Sequence, residues 1–292
     1  MPTNINPIMS NKTKINDFTL GCDPEFSLYY KNSRIIYAYD ALYDEKTNYS
    51  GGEIGYDGNE TQFEIRPKPS KCPIEVTQNI QNIICASFKN IKRLQNKRVV
   101  IKSNSSYGCG GHIHFGIKRD DISDILKFLD AYVGVISMLL EGKESSTKRR
   151  KNSGYGHSFD YRHQDHGFEY RVPSCWLSHP CITAAILSLA KVVVFESLNN
   201  KKASISHDKH AVVCDIINSS KISFAQKQFP SIWSNVTKMQ LYPKYQNHLK
   251  IIPLLVSQNK TWFTKSSFLN NWGVKIYTYT NKPSKTTNNS NQ

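Results

Sequence analysis

Four short segments of this sequence alternate apolar residues with residues that bind metal ions or phosphate. They are GCDPEF, QFEIRP, GGHIHFG and FEYRVP. Successive side chains of a strand point to opposite faces, so residues two positions apart share a face. This rule pairs the following residues on common faces: Asp23 with Glu25, Glu64 with Arg66, His112 with His114, and Glu169 with Arg171. In the last three segments the alternate positions are mostly apolar, which predicts strands with one charged and one buried side.

These residue types suit magnesium and phosphate chemistry. Mg²⁺ prefers oxygen ligands and keeps waters and substrate phosphates in its shell, so Glu25, Glu64 and Glu169 are candidate metal ligands. Arginine forks match phosphate oxygens in pairs, so Arg66 and Arg171 are candidates to hold a triphosphate. We therefore predict one shared site. Four unrelated solvated strand faces are the alternative, although such faces more often carry Lys, Thr and Ser.

The histidine pair permits a second reading of the chemistry. Glycines precede it at Gly108, Gly110 and Gly111. They would let the backbone approach a ligand closely. A His-x-His pair also suits a transition metal, so a metal-dependent hydrolase or a cupin-like oxygenase is an alternative function. The next glutamate after His114 is Glu141, which falls in a predicted helix, and this spacing weakens that alternative.

Hydrophobic periodicity predicts the elements that must position these residues. Helices are predicted over residues 73–95, 121–141 and 180–198. Strands are predicted over residues 17–30, 34–42, 61–67, 98–102, 112–117 and 166–174. Loops are predicted over residues 48–60 and over the basic stretch 141–156. Beyond residue 201 the pattern weakens, and residues 211–217 and 273–280 are predicted only as strand or helix.

The composition indicates a globular intracellular protein. The chain has 292 residues, 39% of them hydrophobic and 21% charged. Its seven cysteines form no C-x-x-C pair, so neither a disulfide framework nor a structural zinc site is expected. The N-terminus lacks the apolar core of a secretory signal, and the longest apolar run, 182–198, is short for a membrane span. We predict a cytoplasmic location and no membrane partner.

The domain prediction is a single mixed domain with polar ends. Residues 1–16 are predicted to be flexible and residues 282–292 to form a disordered tail. Residues 17–281 then form one catalytic domain, with the motifs in 18–200.

The net charge of +15 is compatible with nucleic acid, an anionic surface or a small polyanion such as ATP. A non-enzymatic nucleic-acid-binding protein is therefore a third hypothesis. It does not explain why carboxylates share strand faces with arginines, since carboxylates repel phosphate unless a cation lies between them. The sequence therefore favours an enzyme over a nucleic-acid-binding protein.

The order of the motifs resembles that of a known family. Along the chain they are G-C-D-P-E-F, D-G-x5-E-I-R-P, G-G-H-I-H-F-G, R-R with Y-G, and G-x-E-Y-R-x-P-S-x-W. This order is similar to that of the amidoligases often found in phage genomes. They are carboxylate–amine ligases distantly related to glutamine synthetase and glutamate–cysteine ligase. The resemblance implies an α+β fold: a curved, mostly antiparallel sheet of the glutamine-synthetase-like catalytic type, with helices packed on its outer face.

The resemblance also implies a reaction and roles for individual residues. A substrate carboxylate attacks the γ-phosphate of ATP with Mg²⁺ present, and an amine captures the acyl phosphate to give an amide, ADP and phosphate. The implied metal ligands are Glu25, Glu64, His112 and Glu169. The implied nucleotide contacts are His114, Arg149, Arg150 and Arg171. We expect His114, Arg162 and Arg171 to be catalytic on this resemblance, and Arg66 on its position beside Glu64. The resemblance identifies neither the carboxylate substrate nor the amine substrate. It also suggests that the protein is virus-encoded.

Overall fold

The computed structural model describes most of the chain between residues 18 and 274. The described residues are 18–30, 32, 34–42, 52–56, 60–88, 99–102, 109–152, 154–200, 204–263 and 267–274. The strands are β1 Leu20–Cys22, β2 Glu25–Tyr30, β3 Ile35–Ile36, β4 Ile54–Tyr56, β5 Phe63–Ile65, β6 Val99–Lys102, β7 Ile113–Phe115, β8 Tyr161–Gln164 and β9 Gly167–Tyr170. The predicted flexible end 1–16 and tail 282–292 lie outside the described residues.

Helices make up the larger part of the described chain. They are α1 Ala38–Leu42, α2 Pro73–Phe88, α3 Ser123–Phe128, α4 Val135–Glu141, α5 Lys143–Asn152, α6 Pro180–Asn199, α7 His207–Asn218, α8 Ile222–Thr237, α9 Tyr242–Leu249, α10 Ile251–Ser257 and α11 Phe268–Asn271. A π-helical turn, Leu129–Gly134, joins α3 to α4. Helices and antiparallel strands in one chain confirm the predicted α+β class.

Two antiparallel sheets are joined at the step between Asp23 and Pro24. The first sheet has the order β1-β7-β9-β8, and the second has the order β3-β2-β5-β4 with β6 also paired to β2. The chain leaves β1 at Cys22 and enters β2 at Glu25, so the strand predicted over 17–30 is two strands in two sheets. The amide of Glu25 donates to the carbonyl of Gly110 at 2.8 Å, which ties the second sheet to the first.

Helix α6 forms the centre of the apolar core. It packs against α2, α3, α9 and α10 and against the π-helical turn. By length and composition it is the one helix in the described part of the chain that could cross a membrane. However, 78% of its most apolar window is buried inside the protein, as a core helix requires. The sequence prediction of a helix over 180–198 is confirmed.

Several predicted elements are wrong. The basic stretch predicted as a loop contains α5. Its residues, KESSTKRRKN, are all polar, so no apolar stripe at helical spacing indicates a helix there. The helix is stabilised instead by polar contacts, because Lys148 pairs with Glu144 at 2.7 Å and the buried Arg150 donates to Ser146 one turn earlier. Residues 38–42, predicted as strand, form α1, and residues 54–56, predicted as loop, form β4. Beyond residue 204 the secondary structure of the described residues is helical.

A buried aspartate in the π-helical turn links the sheet to the C-terminal helices. Asp130 is fully buried and accepts a hydrogen bond from the Tyr170 hydroxyl at 2.8 Å. It also accepts one from the Phe159 amide at 3.0 Å and contacts Nε2 of His210 at 3.1 Å. Burial raises the pKa of Asp130, and its contacts with His210 and Tyr170 oppose that rise. Strand β9, the segment before β8, and α7 are therefore held by a single carboxylate.

Replacing Asp130 with alanine should lower the free energy of unfolding by about 3 kcal/mol. The change leaves the Tyr170 hydroxyl and the Phe159 amide without their acceptor in a buried place. Urea denaturation measures the loss. Asp208→Ala, at an exposed position on α7, is the matched control and should change stability by less than about 0.5 kcal/mol. Equal stabilities of the two variants would contradict the role of Asp130.

Candidate active site

Two glutamates of the second sheet face each other where the sheets join. Glu25 begins β2, and its Cα partner in the antiparallel register is Glu64 of β5. An Oε atom of Glu25 accepts hydrogen bonds from the side-chain amide of Gln62 at 2.9 Å and from the backbone amide of Gly110 at 2.8 Å. Glu64 pairs with Arg66, as the two-residue spacing predicts. The register thus brings two carboxylates together from separate stretches of chain.

His112, just before β7, and His114, within it, lie next to these carboxylates. Oδ1 of Asp23 lies 3.0 Å from Nε2 of His114 and 3.5 Å from Nδ1 of His112. Nδ1 of His112 is also 3.1 Å from Oε1 of Glu169. Both imidazoles therefore face one charged cluster, and Asp23, at the junction of the sheets, contacts both.

Strand β9 supplies the third glutamate, Glu169, and two arginines contact it from β8 and from the residue after β9. Oε1 of Glu169 lies 3.2 Å from Nε of Arg171, and Oε2 accepts a hydrogen bond from Gln164 at 3.0 Å. Arg162 is directly opposite Glu169 in the register, with Nη1 3.8 Å from Oε2. The side chain of Arg162 is 58% exposed, so it reaches the cluster from solvent.

Two arginines predicted as nucleotide contacts lie in the protein interior instead. Both are buried: Arg149 is 4% exposed and Arg150 is 3% exposed. Arg149 donates to the backbone carbonyls of Cys109 at 2.9 Å, Arg171 at 3.1 Å and Pro173 at 3.3 Å. Nη1 of Arg150 lies 3.6 Å from the buried carboxylate of Glu141. Neither arginine lines the cavity described below. Their contacts with backbone carbonyls and with Glu141 hold α5 against the neighbouring segments.

A cavity of about 370 Å³ opens beside the charged cluster. Its apolar walls include Pro67, Pro69 and Cys22, and its charged edge includes Asp23, Glu64, Arg66, His114 and His166. His166 stacks on His114, with ring centroids 5.3 Å apart. Gly21 is the Cα partner of His114, and a Cβ added to it would make only ordinary contacts of 3.5 Å. Nothing in the surrounding protein requires glycine there, and its missing side chain leaves room in the cavity.

The electrostatics of the cluster favour charged groups at its centre. Burial would raise the pKa of Asp23, but its contacts with His112 and His114 and their charges hold it well below the usual value. Burial would lower the pKa of His114, but the contact with Asp23 raises it above the usual value. Burial raises the pKa of Glu25. The nearby charge of His112 and the hydrogen bond from the Gly110 amide oppose this rise but do not cancel it.

The donor set fits a divalent cation. Asp23, His114 and Glu169 each offer a ligand atom, and these atoms lie within 4.8 Å of one another. Oδ1 of Asp23 and Nε2 of His114 are buried and close, yet their geometry is not that of a hydrogen bond, so both keep unused bonding capacity. Unsatisfied buried polar atoms of this kind are typical of ligand atoms around an ion.

A second group of possible ligands, formed by Asp130, His210 and Cys214, lies away from the cavity. The carboxylate oxygens of Asp130 already accept hydrogen bonds from Tyr170 and Phe159. The sulfur of Cys214 is 3.4 Å from Nδ1 and 3.7 Å from Nε2 of His210, so it packs against the ring rather than along one nitrogen lone pair. This group therefore stabilises the fold through hydrogen bonds and packing.

The residues predicted from sequence are mostly brought together. Around one centre the structure gathers Glu25, Glu64, Arg66, His112, His114, Arg162, Glu169 and Arg171. For Asp23 the sequence offers one signal, the strand face that it shares with Glu25. Gln62, Gln164 and His166 were not predicted, because the order of residues gives no indication that turns and strand ends reach the cluster.

A family model described as "Phage phiEco32-like COOH.NH2 ligase-type 2" matches residues 20–274. No curated protein sequence matches the chain. Solved structures with a similar arrangement include a bifunctional glutathione synthetase from Pasteurella multocida, with 10% identity and a TM-score of 0.45 over 82% of this chain and 47% of that one.

Two further solved structures resemble the chain. Apo GmaS has 13% identity and a TM-score of 0.41 over 75% of this chain and 70% of its own. Glutamine synthetase from Plasmodium falciparum has 13% identity and a TM-score of 0.37 over 65% of this chain and 53% of its own. The chain thus spans about half the length of the two synthetases. At these identities neither activity nor substrate carries over to this chain.

The Asp23–His114 contact should make stability depend on pH in protein freed of metal with EDTA. The raised pKa of His114 stabilises the fold fully below about pH 6.5, and this contribution is lost as pH rises through the raised pKa. The lowered pKa of Asp23 stabilises the fold above about pH 3.9, and this contribution is lost as pH falls towards the lowered value. Asp23→Asn should therefore cost more stability at about pH 5.5 than at about pH 9. Urea denaturation at both pH values checks this, and an equal cost would contradict it.

Proposed function

Since the family model covers most of the chain, this protein belongs to the phage phiEco32-like COOH·NH2 ligase-type 2 family, and we propose that it is an ATP- and Mg²⁺-dependent carboxylate–amine ligase. Family membership supports a ligase that joins carboxylate and amine substrates. The observation that carries the finer proposal is the cluster of Asp23, Glu25, Glu64 and Glu169 beside a cavity. Glu64 and Glu169 are buried and Asp23 and Glu25 are partly buried, and carboxylates gathered in this way are stabilised by cations between them.

In the proposed reaction an oxygen of the substrate carboxylate attacks the γ-phosphorus of ATP. The bond to the β-γ bridging oxygen breaks, which gives an acyl phosphate and ADP. The amine nitrogen then attacks the acyl carbon, phosphate leaves, and the nitrogen loses a proton to give the amide. Both steps develop negative charge on phosphoryl oxygens, and positioned cationic groups stabilise that charge.

The side chains of the cluster divide into two groups in this proposal. Glu25, Glu64, His112 and Glu169, together with Asp23 and His114, would hold Mg²⁺. Bound there, Mg²⁺ supplies neutralisation of the phosphate oxygens. Arg171, held by Glu169, and the more exposed Arg162 offer guanidinium donors to the transferred phosphoryl group.

We assign the cavity to the nucleoside part of ATP. Its walls at Pro67, Pro69 and Cys22 are apolar, as a flat base needs, and its charged edge faces the carboxylate cluster, where phosphates and cations would meet. His114 lies at that edge, so phosphates bound to the cation would lie close to it. The buried positions of Arg149 and Arg150 favour a structural role over the nucleotide contact expected from sequence.

Two classes of substrate and a location complete the proposal. The acid and the amine are small molecules or peptides, and the reaction takes place in the cytoplasm, where ATP is available. Nucleic acid is not expected as a partner, because the charged faces used here carry carboxylates.

The direct test is ADP release from ATP and Mg²⁺ in the presence of pools of amino acids and short peptides. Substrate-stimulated ADP with a matching new amide mass supports the ligase. Glu169→Gln should lower the rate at least about 100-fold without unfolding, because the change removes a charge that offsets bound cations. Glu144→Gln, at an exposed position on α5, is the matched control and should leave the rate unchanged. Metal-dependent turnover without ATP, or DNA binding without turnover, would contradict the proposal.

Gly21→Leu should weaken the binding of ATP with Mg²⁺ at least about tenfold, because the new side chain fills the cavity. Gly21→Ala should have a smaller effect, since its Cβ makes only ordinary contacts. Isothermal titration calorimetry measures both affinities, and circular dichroism checks that the variants fold. An unchanged ATP affinity in folded Gly21→Leu would remove the nucleoside from this cavity.

A further inference from the structure

Strand β8 is the outer strand of the first sheet. It pairs with β9 on one side, and in the described part of the chain no strand pairs with its other side. Its first three residues, 161–163, are exposed. Edge strands are commonly blunted by lysine, proline or a bulge, but the sequence YRHQ has neither residue and its register with β9 is regular. The outer edge of β8 therefore offers backbone groups to a further strand.

The ladder between β8 and β9 shows which backbone groups point outward. The amide of Arg171 donates to the carbonyl of Asp160 at 2.9 Å, one pair beyond the two strands. Bonded and non-bonded pairs alternate along an antiparallel ladder, so Arg162 bonds to β9 and the residues on either side of it do not. The amides and carbonyls of Tyr161 and His163 therefore point away from β9.

The side chains of β8 divide between the two faces of the sheet. Arg162 and Gln164 contact Glu169, which places them on the face of the charged cluster. Tyr161 and His163 lie on the opposite face, where their rings meet edge to face with centroids 5.3 Å apart. A strand added beyond β8 would continue this alternation. Its residue opposite Arg162 would direct its side chain towards the charged cluster, and the two flanking residues would lie beside the ring pair.

We propose that an extended peptide binds along the outer edge of β8 as an added antiparallel strand, and that a glutamate of this peptide is the acid substrate. The inference rests on the ligase function proposed above and names its substrate class, a glutamate side chain within a peptide. Tyr161 and His163 supply two amides and two carbonyls for the peptide backbone, and antiparallel pairing continues the pattern of the sheet. The bonds formed and broken are those of the reaction given above, with the glutamate side chain as the carboxylate.

Charge and reach select glutamate for the central position of the peptide. The side chain of Arg162 is 58% exposed and lies on the face that the central residue would share, so it attracts a carboxylate and repels a lysine. Neighbouring strands lie about 4.8 Å apart, so the Cα of the central residue lies about 10 Å from that of Glu169, two strands away. Glutamate crosses this distance better than the shorter aspartate. Arg162, assigned above to the phosphoryl group, then lies where the carboxylate and that group meet.

Binding of the capped tripeptide acetyl-Val-Glu-Val-amide tests this register, measured by isothermal titration calorimetry with Mg²⁺ present. We expect saturation of one site, and at least about fivefold weaker binding of acetyl-Val-Gln-Val-amide, which lacks the charge. N-methylation of either valine should weaken binding at least about fivefold, because each valine amide bonds to β8. N-methylation of the glutamate should change the affinity less than about twofold, since that amide points away from β8. Equal effects of methylation at the three positions would overturn the inference.

A proline substitution in the protein removes one outward amide. His163→Pro loses that donor and keeps the bonded pairs with β9, because proline is tolerated where the amide of an edge strand faces solvent. It should weaken tripeptide binding at least about fivefold relative to His163→Ala, which keeps the amide. Circular dichroism checks the fold of both variants, and the methylated peptides test the same contacts in wild-type protein if His163→Pro unfolds. Equal affinities of the two folded variants would overturn the inference.

The outcomes separate this inference from the proposed function. ADP release with free amino acids, without binding of the tripeptide, would overturn the inference and leave the ligase intact. Binding with the expected methylation pattern, but without ADP release from any peptide, would support the site and contradict the ligase. A dimer that His163→Pro dissociates would assign this edge to a second copy of the chain and overturn the inference.

Discussion

The gathering of like charges at the junction of two sheets is the constraint on which this structure depends. Asp23, Glu25, Glu64 and Glu169 lie around one centre, mostly shielded from water. Carboxylates so placed repel one another, and burial penalises their charge. They are tolerated because imidazoles and guanidiniums lie between them and because their geometry leaves room for cations. The same charges therefore constrain the fold and supply the groups that the proposed chemistry needs.

The antiparallel registers create this gathering. Gly21, His114, Glu169 and Arg162 form one row across the first sheet, because each is the Cα partner of the next. In the second sheet Gly55, Glu64 and Glu25 form an equivalent row. The step at Asp23 and Pro24 places the two rows beside each other. Gly21, at one end of the first row, leaves space that is part of the cavity.

The basic residues show how burial separates roles that sequence alone cannot. Arg149 and Arg150 follow one another on α5, close in sequence to the site motifs. Their side chains turn inward to backbone carbonyls and to Glu141, where each satisfies buried acceptors. Arg162 and Arg171 reach the charged cluster from β8 and from the residue that follows β9. The same residue type thus supports the fold in one place and faces the site in another.

Local alternation determined much of this protein from its sequence. A period of two assigns each charged residue of β5, β7 and β9 to a face, because strand geometry is set by the backbone, and the order of motifs resembles the ligase family to which the chain belongs. Only the tertiary structure decided that Asp23 contacts both histidines, that α5 is a helix, and that Tyr155 covers Arg171. The contacts of Asp23 and of Tyr155 join separate segments, and α5 combines contacts one turn apart with hydrogen bonds from Arg149 to the carbonyls of Cys109 and Pro173. Neither periodicity nor composition contains that information.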